Sequence, residues 1–486
     1  MVATPNTLAL ALIFGWPLIA VALFLFMPPR RALLAGFVFG WLFLPVLIPT
    51  TPLVLWDKHL VTSLGALVGV LLFDTGRLFT LRPRLLDIPM LIWCLAPIPA
   101  TLTNGLDAYT ATAETLNRLA EWGVPYLLGR VYFNDLAGMR ALAAWIFMAG
   151  LLYVPFCLFE IRLSPQLHRI VYGYSQYEFS QVVRMGGYRP TVFLQHGLAL
   201  GMVMATASLA GFWLWYSGAL KRIFGMSVIY PLGALVLTTL FVKSAGALLL
   251  FMCAASLLFL TRKLRFNGLV IFFCCAPVGY MVARAILNWD GSDATRLVSE
   301  VLGPQRADSL QFRFDNEQKL LDRAAERRLF GWGANGDNRT TDEDGIEAIP
   351  DGYWVIALGT NGLLGLIALY TALLLPVPIL LLRIKPEAWA TPAFAGVCAV
   401  ALILPMHAID NLFNAMLNPL FALATGAVTA MAADPKSLFV PTPAQLHRAR
   451  MRNATPAQPG RPQPTGDPDA LAAATEQSFD EELGIH

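Results

Sequence analysis

Three positions carry residue types that could do chemistry: Arg189 and Arg313 as permanently charged donors, and Asp351 as a carboxylate. Arg189 sits in Gly186-Gly187-Tyr188-Arg189-Pro190-Thr191, just before an apolar run that starts near Val192. Pro190 biases Arg189 toward an extended conformation, and the paired glycines allow a tight turn. A guanidinium held there is a planar, permanently charged donor, the geometry suited to phosphate. The same placement also fits an interfacial arginine whose stem lies on apolar surface while its charge stays in water. His196 follows near the start of that run, either as a substrate contact or as a satisfied polar residue.

Arg313 belongs to a stretch, Asp308 to Leu329, in which Leu310, Phe314, Leu320, Leu321, Ala324 and Ala325 form an incomplete helical stripe. This predicts an amphipathic helix with its apolar stripe on the rest of the protein. Two readings of Arg313 follow. It forms an i,i+4 pair with Glu317, worth only about 0.2–0.5 kcal/mol, or it faces a cavity and binds an anion. Beyond the helix come Gly331-Trp332-Gly333, an acidic run (Asp337, Asp342, Glu343, Asp344, Glu347) and Asp351-Gly352. The acidic run lacks the ligand spacing of a calcium loop and reads as a solvated lid. Asp351 opens the next apolar run, where a carboxylate serves as a helix cap or as a reacting group.

The elements that must position these residues are membrane helices. Hydrophobic residues make up 56% of the 486 and charged residues 14%, against about 25% charged in soluble domains. The charge deficit is concentrated in blocks of about 15–25 apolar residues, long enough to cross a hydrocarbon core of about 30 Å. About thirteen spans are expected: 7–27, 32–50, 59–74, 86–103, 116–130, 138–159, 192–216, 223–242, 245–261, 267–288, 353–382, 391–408 and 412–433. The 116–130 segment, with Arg118, Glu121 and Arg130 in it, is expected to be short or re-entrant. The first segment reads as a retained helix, without the basic start and cleavage site of a signal peptide.

Lys and Arg in alternate short connections (Arg30-Arg31, Arg77/Arg82/Arg84, Arg130/Arg140, Lys221-Arg222, Arg262/Lys263/Arg265, Arg383/Lys385) mark one side as cytoplasmic. The expected organisation is helices 1–10 in residues 1–288, an extracytoplasmic loop with its amphipathic helix in 289–350, helices 11–13 in 351–433, and a disordered cytoplasmic tail in 434–486. All six cysteines fall in apolar segments, which argues against a disulfide framework or a metal site. A formal charge of +3 is too small to imply a nucleic-acid partner.

Asp351-Gly352, nine further residues and then Gly362-Leu363-Leu364-Gly365 resemble the signature of the O-antigen ligase and Wzy-type polymerase superfamily. Gly331-Trp332-Gly333 after an arginine-bearing loop helix, and an arginine before a mid-chain span, agree with that family over about 186–431. The resemblance implies an all-α GT-C-like bundle in the bacterial inner membrane, with a cavity open to the periplasm. It implies that Arg189 and Arg313 are the paired essential arginines and that Asp410 matches a late acidic position. Asp351 stands where the ligases carry histidine. That departure favours a polymerase of O-antigen or exopolysaccharide. Lys243, in a Ser-bearing helix junction, is a candidate third phosphate contact, and Tyr188 and Tyr353 are candidate sugar-stacking or belt residues.

The reaction so implied transfers a glycan from undecaprenyl diphosphate to a sugar hydroxyl of another lipid-linked repeat unit. Two arginines stabilise the leaving diphosphate, Asp351 acts as general base, and the anomeric carbon is inverted without metal or cofactor. Membrane lipids, and a chain-length regulator expected from the family, are the implied partners. Two alternatives stay open: a ligase or oligosaccharyltransferase using lipid A-core or a protein as acceptor, and a transporter of lipid-linked oligosaccharide that does no chemistry.

Overall fold

The computed structural model describes residues 4–46, 56–184, 186–333, 336–340 and 347–438. The first stretch holds α1 (Thr7–Phe26) and α2 (Pro29–Phe43), and α3 (Lys58–Phe73) and α4 (Thr75–Leu78) follow. Next come α5 (Ile88–Leu95), α6 (Pro97–Leu102), α7 (Ala108–Arg118), α8 (Val124–Tyr132), α9 (Leu136–Leu163) and α10 (Leu167–Tyr172). A hairpin, β1 (Val183–Arg184) with β2 (Gly187–Tyr188), precedes α11 (Gly197–Tyr216). A second hairpin, β3 (Arg222–Ile223) with β4 (Met226–Ser227), leads into α12 (Ile229–Phe241), α13 (Ala245–Leu264) and α14 (Leu269–Ala285). The polar insert contributes α15 (Ser292–Leu302) and α16 (Pro304–Ala325). The chain then returns to the bundle as α17 (Tyr353–Leu374), α18 (Pro376–Leu381), α19 (Ala395–Asp410) and α20 (Pro419–Ala433).

Among the described residues, six segments are long and apolar enough to cross a membrane: Thr7–Phe26, Leu85–Leu102, Leu136–Leu163, Gly197–Tyr216, Ala245–Leu264 and Tyr353–Leu381. Shorter apolar helices (α3, α12, α14, α19 and α20) pack among them. The chain is therefore a helical bundle suited to a membrane, where only segments that satisfy their own backbone are tolerated. The core is centred on α11 and α19, whose side chains are buried almost throughout. Close packing there rests on small residues. At the α8–α20 crossing a Cβ on Gly129 would lie 2.0 Å from the Leu423 carbonyl, and one on Gly426 2.0 Å from that of Tyr126. The two backbones touch because neither position has a side chain.

Contacts between connections sort the bundle into two ends. At the insert end the Asn6 N–H donates to the Tyr172 carbonyl (3.0 Å), Lys58 Nζ to that of Phe193 (3.4 Å), and Asn104 Nδ2 to that of Gly331 (2.8 Å). At the other end Arg30 pairs with Asp135 (3.2 Å), Arg265 with Glu387 (3.6 Å), and Arg383 Nη1 donates to the Ala432 carbonyl (2.6 Å). We call the latter the tail end, because α20 finishes there.

Several expected boundaries move, each for a local reason. The 116–130 segment is not cut short: α7 and α8 join through a π-helical turn, Leu119–Gly123, into one run from 108 to 132. Arg118 is accommodated because its guanidinium lies 3.9 Å from the Trp93 ring and donates to Tyr353 Oη (3.1 Å) and Asn361 Oδ1 (3.3 Å). The 192–216 segment begins its helix only at Gly197, after Val192 takes a positive φ of 53° and His196 caps α11. The last segment starts at Pro419 rather than 412, and Asn418 caps it. The insert helix spans 304–325 instead of 308–329, starting on Pro304 at a first-turn position where its missing N–H costs nothing. Residues 47–50 of the second expected segment lie outside the described residues, as do Asp342, Glu343 and Asp344 of the acidic run and the tail beyond 438.

Candidate anion-binding site at the insert end

The β1–β2 hairpin aims Arg189. Gly186 turns the chain with φ +68°, and the Arg189 N–H donates to the Val182 carbonyl at 2.8 Å. Beyond Pro190, the buried Glu160 carboxylate accepts the Thr191 and Val192 N–H groups at 2.9 and 2.8 Å. The Arg189 side chain lies over Gly197, where an added Cβ would come within 2.4 Å of its Cδ. Its Nη2 donates to the Lys243 carbonyl (3.2 Å), while its Nε is buried with no partner among the described residues. Only 7% of this residue is exposed. Burial lowers its pKa to about 10, helped by the charges of Arg184, Arg306 and Arg313. A desolvated guanidinium with an orphaned donor, in the field of three further arginines, is suited to receive an anion.

Arg313 projects from α16 toward the start of α17. Its Nε lies 3.5 Å from Asp351 Oδ2, and its Nη1 donates to the Phe413 carbonyl at 2.8 Å. The i,i+4 pair with Glu317 does not form, because Glu317 is held elsewhere. Its carboxylate accepts from Arg284 Nε (2.6 Å), Tyr280 Oη (3.0 Å) and Trp354 Nε1 (3.1 Å). That buried knot pins α16 to α14 and α17, and so fixes where Arg313 points. Burial raises the Asp351 pKa above its ordinary value and the Arg313 charge pulls it back. The cleft lined by Arg313, Asp351, Gly352 and Phe413 measures about 10 Å³, room for a single hydroxyl or water. Asp410 approaches the same arginine closely enough to feel its charge. It ends α19, accepts a bond from Asn414 Nδ2 (2.7 Å) and leaves Oδ2 buried without a partner among the described residues.

The glycine signature is a backbone docking surface. At Gly362 the helix α17 breaks, with φ +62° and ψ −165°. Residues 328–333 of the insert fill the break: the Trp332 and Gly333 N–H groups donate to the Gly359 and Thr360 carbonyls (2.8 and 3.0 Å). In return the Leu363 and Leu364 N–H groups donate to the Arg328 and Leu329 carbonyls (2.8 and 3.2 Å). A Cβ at Gly331 would lie 2.6 Å from Gly362 N, and one at Gly362 2.4 Å from Leu329 C. Trp332 then carries Arg323 over its ring at 3.6 Å and Arg327 at 5.1 Å.

The remaining candidates divide. His196 faces the arginines, and burial with their charges lowers its pKa to about 4. It is neutral at pH 7, with Nδ1 accepting the Leu198 N–H (3.1 Å), so Nε2 is left as the donor. Lys243 reaches across to donate from Nζ to the Arg184 carbonyl (2.9 Å), clamping the hairpin that carries Arg189. Tyr188 is half-buried beside Phe179 at 6.1 Å. Tyr353 points into the bundle, 7% exposed and stacked on Trp122 at 6.3 Å, which removes it from the open face. Sequence reasoning passed over Arg184 and Arg306, whose charges act on Arg189, and over the Arg284–Glu317 knot. A charged Arg284 four residues before the end of an apolar run was the available signal for that knot. An apolar groove of about 500 Å³ between α14 and α17–α18, lined by Val278, Met281, Leu366 and Ile367, reaches Trp354 beside the Glu317 knot. Compared with known protein families and curated proteins, the chain matches no family model and no relative.

Proposed function

We propose that this protein transfers a glycan from a polyprenyl-diphosphate donor to a sugar hydroxyl of a second lipid-linked repeat unit, at the periplasmic face of the bacterial inner membrane. One observation carries the reading. Buried Arg189, its Nε without a partner among the described residues, lies within electrostatic reach of Arg313, which itself sits 3.5 Å from the Asp351 carboxylate. Diphosphate is already a good leaving group, so its departure needs fixed positive charge more than a proton. Preorganised donors supply that, each worth about 2.7–4 kcal/mol, or 10²–10³ in rate.

The ion pair supplies an order of events. When the diphosphate draws the Arg313 guanidinium, Asp351 loses its counter-charge and becomes a stronger base. It then takes the proton of the acceptor hydroxyl as the oxygen forms its bond to the anomeric carbon. The glycosyl–phosphate bond breaks on the opposite side, inverting the centre, and the electron pair leaves with the diphosphate. The groove between α14 and α17–α18 fits the prenyl chain, because its lining is apolar and it reaches Trp354, which donates to Glu317 on the helix that carries Arg313. Asp410 and Lys243 act behind these groups, the first on Arg313 and the second on the hairpin.

The test is conversion of lipid-linked repeat units by purified protein. Arg189→Ala and Arg313→Ala are each expected to stop chain growth and diphosphate release while protein levels hold. Normal long polymer from either variant would refute the assignment. Labelling of lipid A-core or of a protein would replace it with the ligase reading, and movement of donor across the bilayer without diphosphate release would replace it with transport.

A further inference from the structure

At the tail end, away from the arginine site, Thr80, Arg82, Arg84, Arg130, Asn134 and Asp434 line a cavity of about 320 Å³. It lies between the α4–α5 connection, α8 and the end of α20. Arg130 is its buried wall, 7% exposed, clamped by Asp87 through Nε–Oδ1 (2.7 Å) and Nη2–Oδ2 (2.9 Å). The same Nη2 donates to the Arg82 carbonyl at 3.1 Å, which fixes the connection against the bundle. Arg82 and Arg84 are thereby held exposed at the rim, and neither has an ion-pair partner among the described residues. Among the described residues Asp434 is the single carboxylate in the lining, so there two guanidiniums without an ion pair face one acid.

The flanks of this cation pair are apolar. Phe79 is 85% exposed and Leu85 83%, one on either side of Arg82 and Arg84 in the chain. Exposed aromatic and aliphatic side chains next to exposed guanidiniums on an anchored connection match a phospholipid: phosphate at the cavity, acyl chains alongside. We propose that this cavity binds the phosphate headgroup of an anionic phospholipid, with Phe79 and Leu85 seated in the adjoining acyl layer. A soluble phosphate ester shares the headgroup chemistry, and the two apolar flanks decide for the lipid. The site is independent of the glycosyl-transfer reading, since none of its residues lies at the insert end.

The experiment uses the full-length protein in mixed micelles containing dioleoylphosphatidylglycerol or dioleoylphosphatidylcholine, with retained lipid counted by native mass spectrometry. Phosphatidylglycerol is expected to be retained over phosphatidylcholine. The Arg82→Ala/Arg84→Ala variant should bind it about 30-fold more weakly, from about 1 kcal/mol per basic residue, with phosphatidylcholine binding unchanged. Asp434→Asn should bind it more tightly, and millimolar inorganic phosphate should leave retention intact. Equal retention of the two lipids, wild-type retention by the double-arginine variant, or displacement of the lipid by free phosphate would each overturn the proposal.

Discussion

Removing Glu317 should cost far more stability than removing Asp351, although both carboxylates pair with an arginine at the insert end. The difference lies in burial. Arg284 and Glu317 have side chains 1% and 8% exposed and bond at 2.6 Å, with Tyr280 and Trp354 completing the shell around the carboxylate. Glu317→Ala leaves the Arg284 charge buried without its counter-ion, a loss of about 3–5 kcal/mol for a pair of this kind. Arg313 and Asp351 are 31% and 38% exposed at 3.5 Å, so screening limits that pair to about 0–1 kcal/mol. The assay is thermal unfolding of the detergent-purified full-length protein, followed by tryptophan fluorescence, alongside the proposed glycan transfer. Glu317→Ala should unfold well below wild type and lose activity, because α16 loses the anchor one turn beyond Arg313. Asp351→Asn should keep the wild-type midpoint and still lose activity. Glu317→Leu with Arg284→Met should recover most of the stability, since no charge is left buried. If Asp351→Asn destabilised as much as Glu317→Ala, or Glu317→Ala unfolded at the wild-type temperature, the division into a structural pair and a working pair would be wrong.

Two other outcomes are expected. Burial raises the Asp351 pKa above 3.8 and Arg313 lowers it, so the acidic limb of the rate profile should lie above 3.8. An Arg313→Gln variant with residual activity should have that limb at higher pH, because burial is then unopposed; an unmoved limb would exclude Asp351 as the base. Any stability the protonated carboxyl contributes is present below the unfolded value and is lost as pH rises through the folded one. Gly362→Ala should disrupt the insert's seat on α17. It forces a side chain into φ +62°, ψ −165° and to within 2.4 Å of Leu329 C. Strain of about 1–3 kcal/mol and overpacking of about 1–3 kcal/mol add there. Limited proteolysis should then cut the 326–350 region faster than in wild type, and an unchanged cleavage rate would argue against the docked geometry.

Much of this protein is legible from its residues in order. Apolar blocks interrupted by arginines define membrane helices, since hydrocarbon admits no other backbone solution for such a chain. Among the described residues, six segments are long and apolar enough to cross a membrane and five more are shorter apolar helices, with helix starts set by caps at His196 and Asn418. Arg189, Arg313 and Asp351 stood out by residue type and place: before a proline at the head of an apolar run, on an amphipathic stretch of the polar insert, and at the opening of the next apolar run. Their partners could not be read the same way. Whether Arg313 would bind Glu317 four residues on or Asp351 thirty-eight residues on depends on how α16 docks, and that is settled by Arg284, in a different helix. The meaning of Gly362 likewise needed the fold: a glycine in a sequence permits a break, and only the insert's backbone arriving at Gly359–Leu364 explains why the break is there. Local chemistry, which a sequence carries, limits what each residue can do. The pairing of charges across helices is set by which buried groups must be satisfied at once, and that is a property of the packed bundle alone.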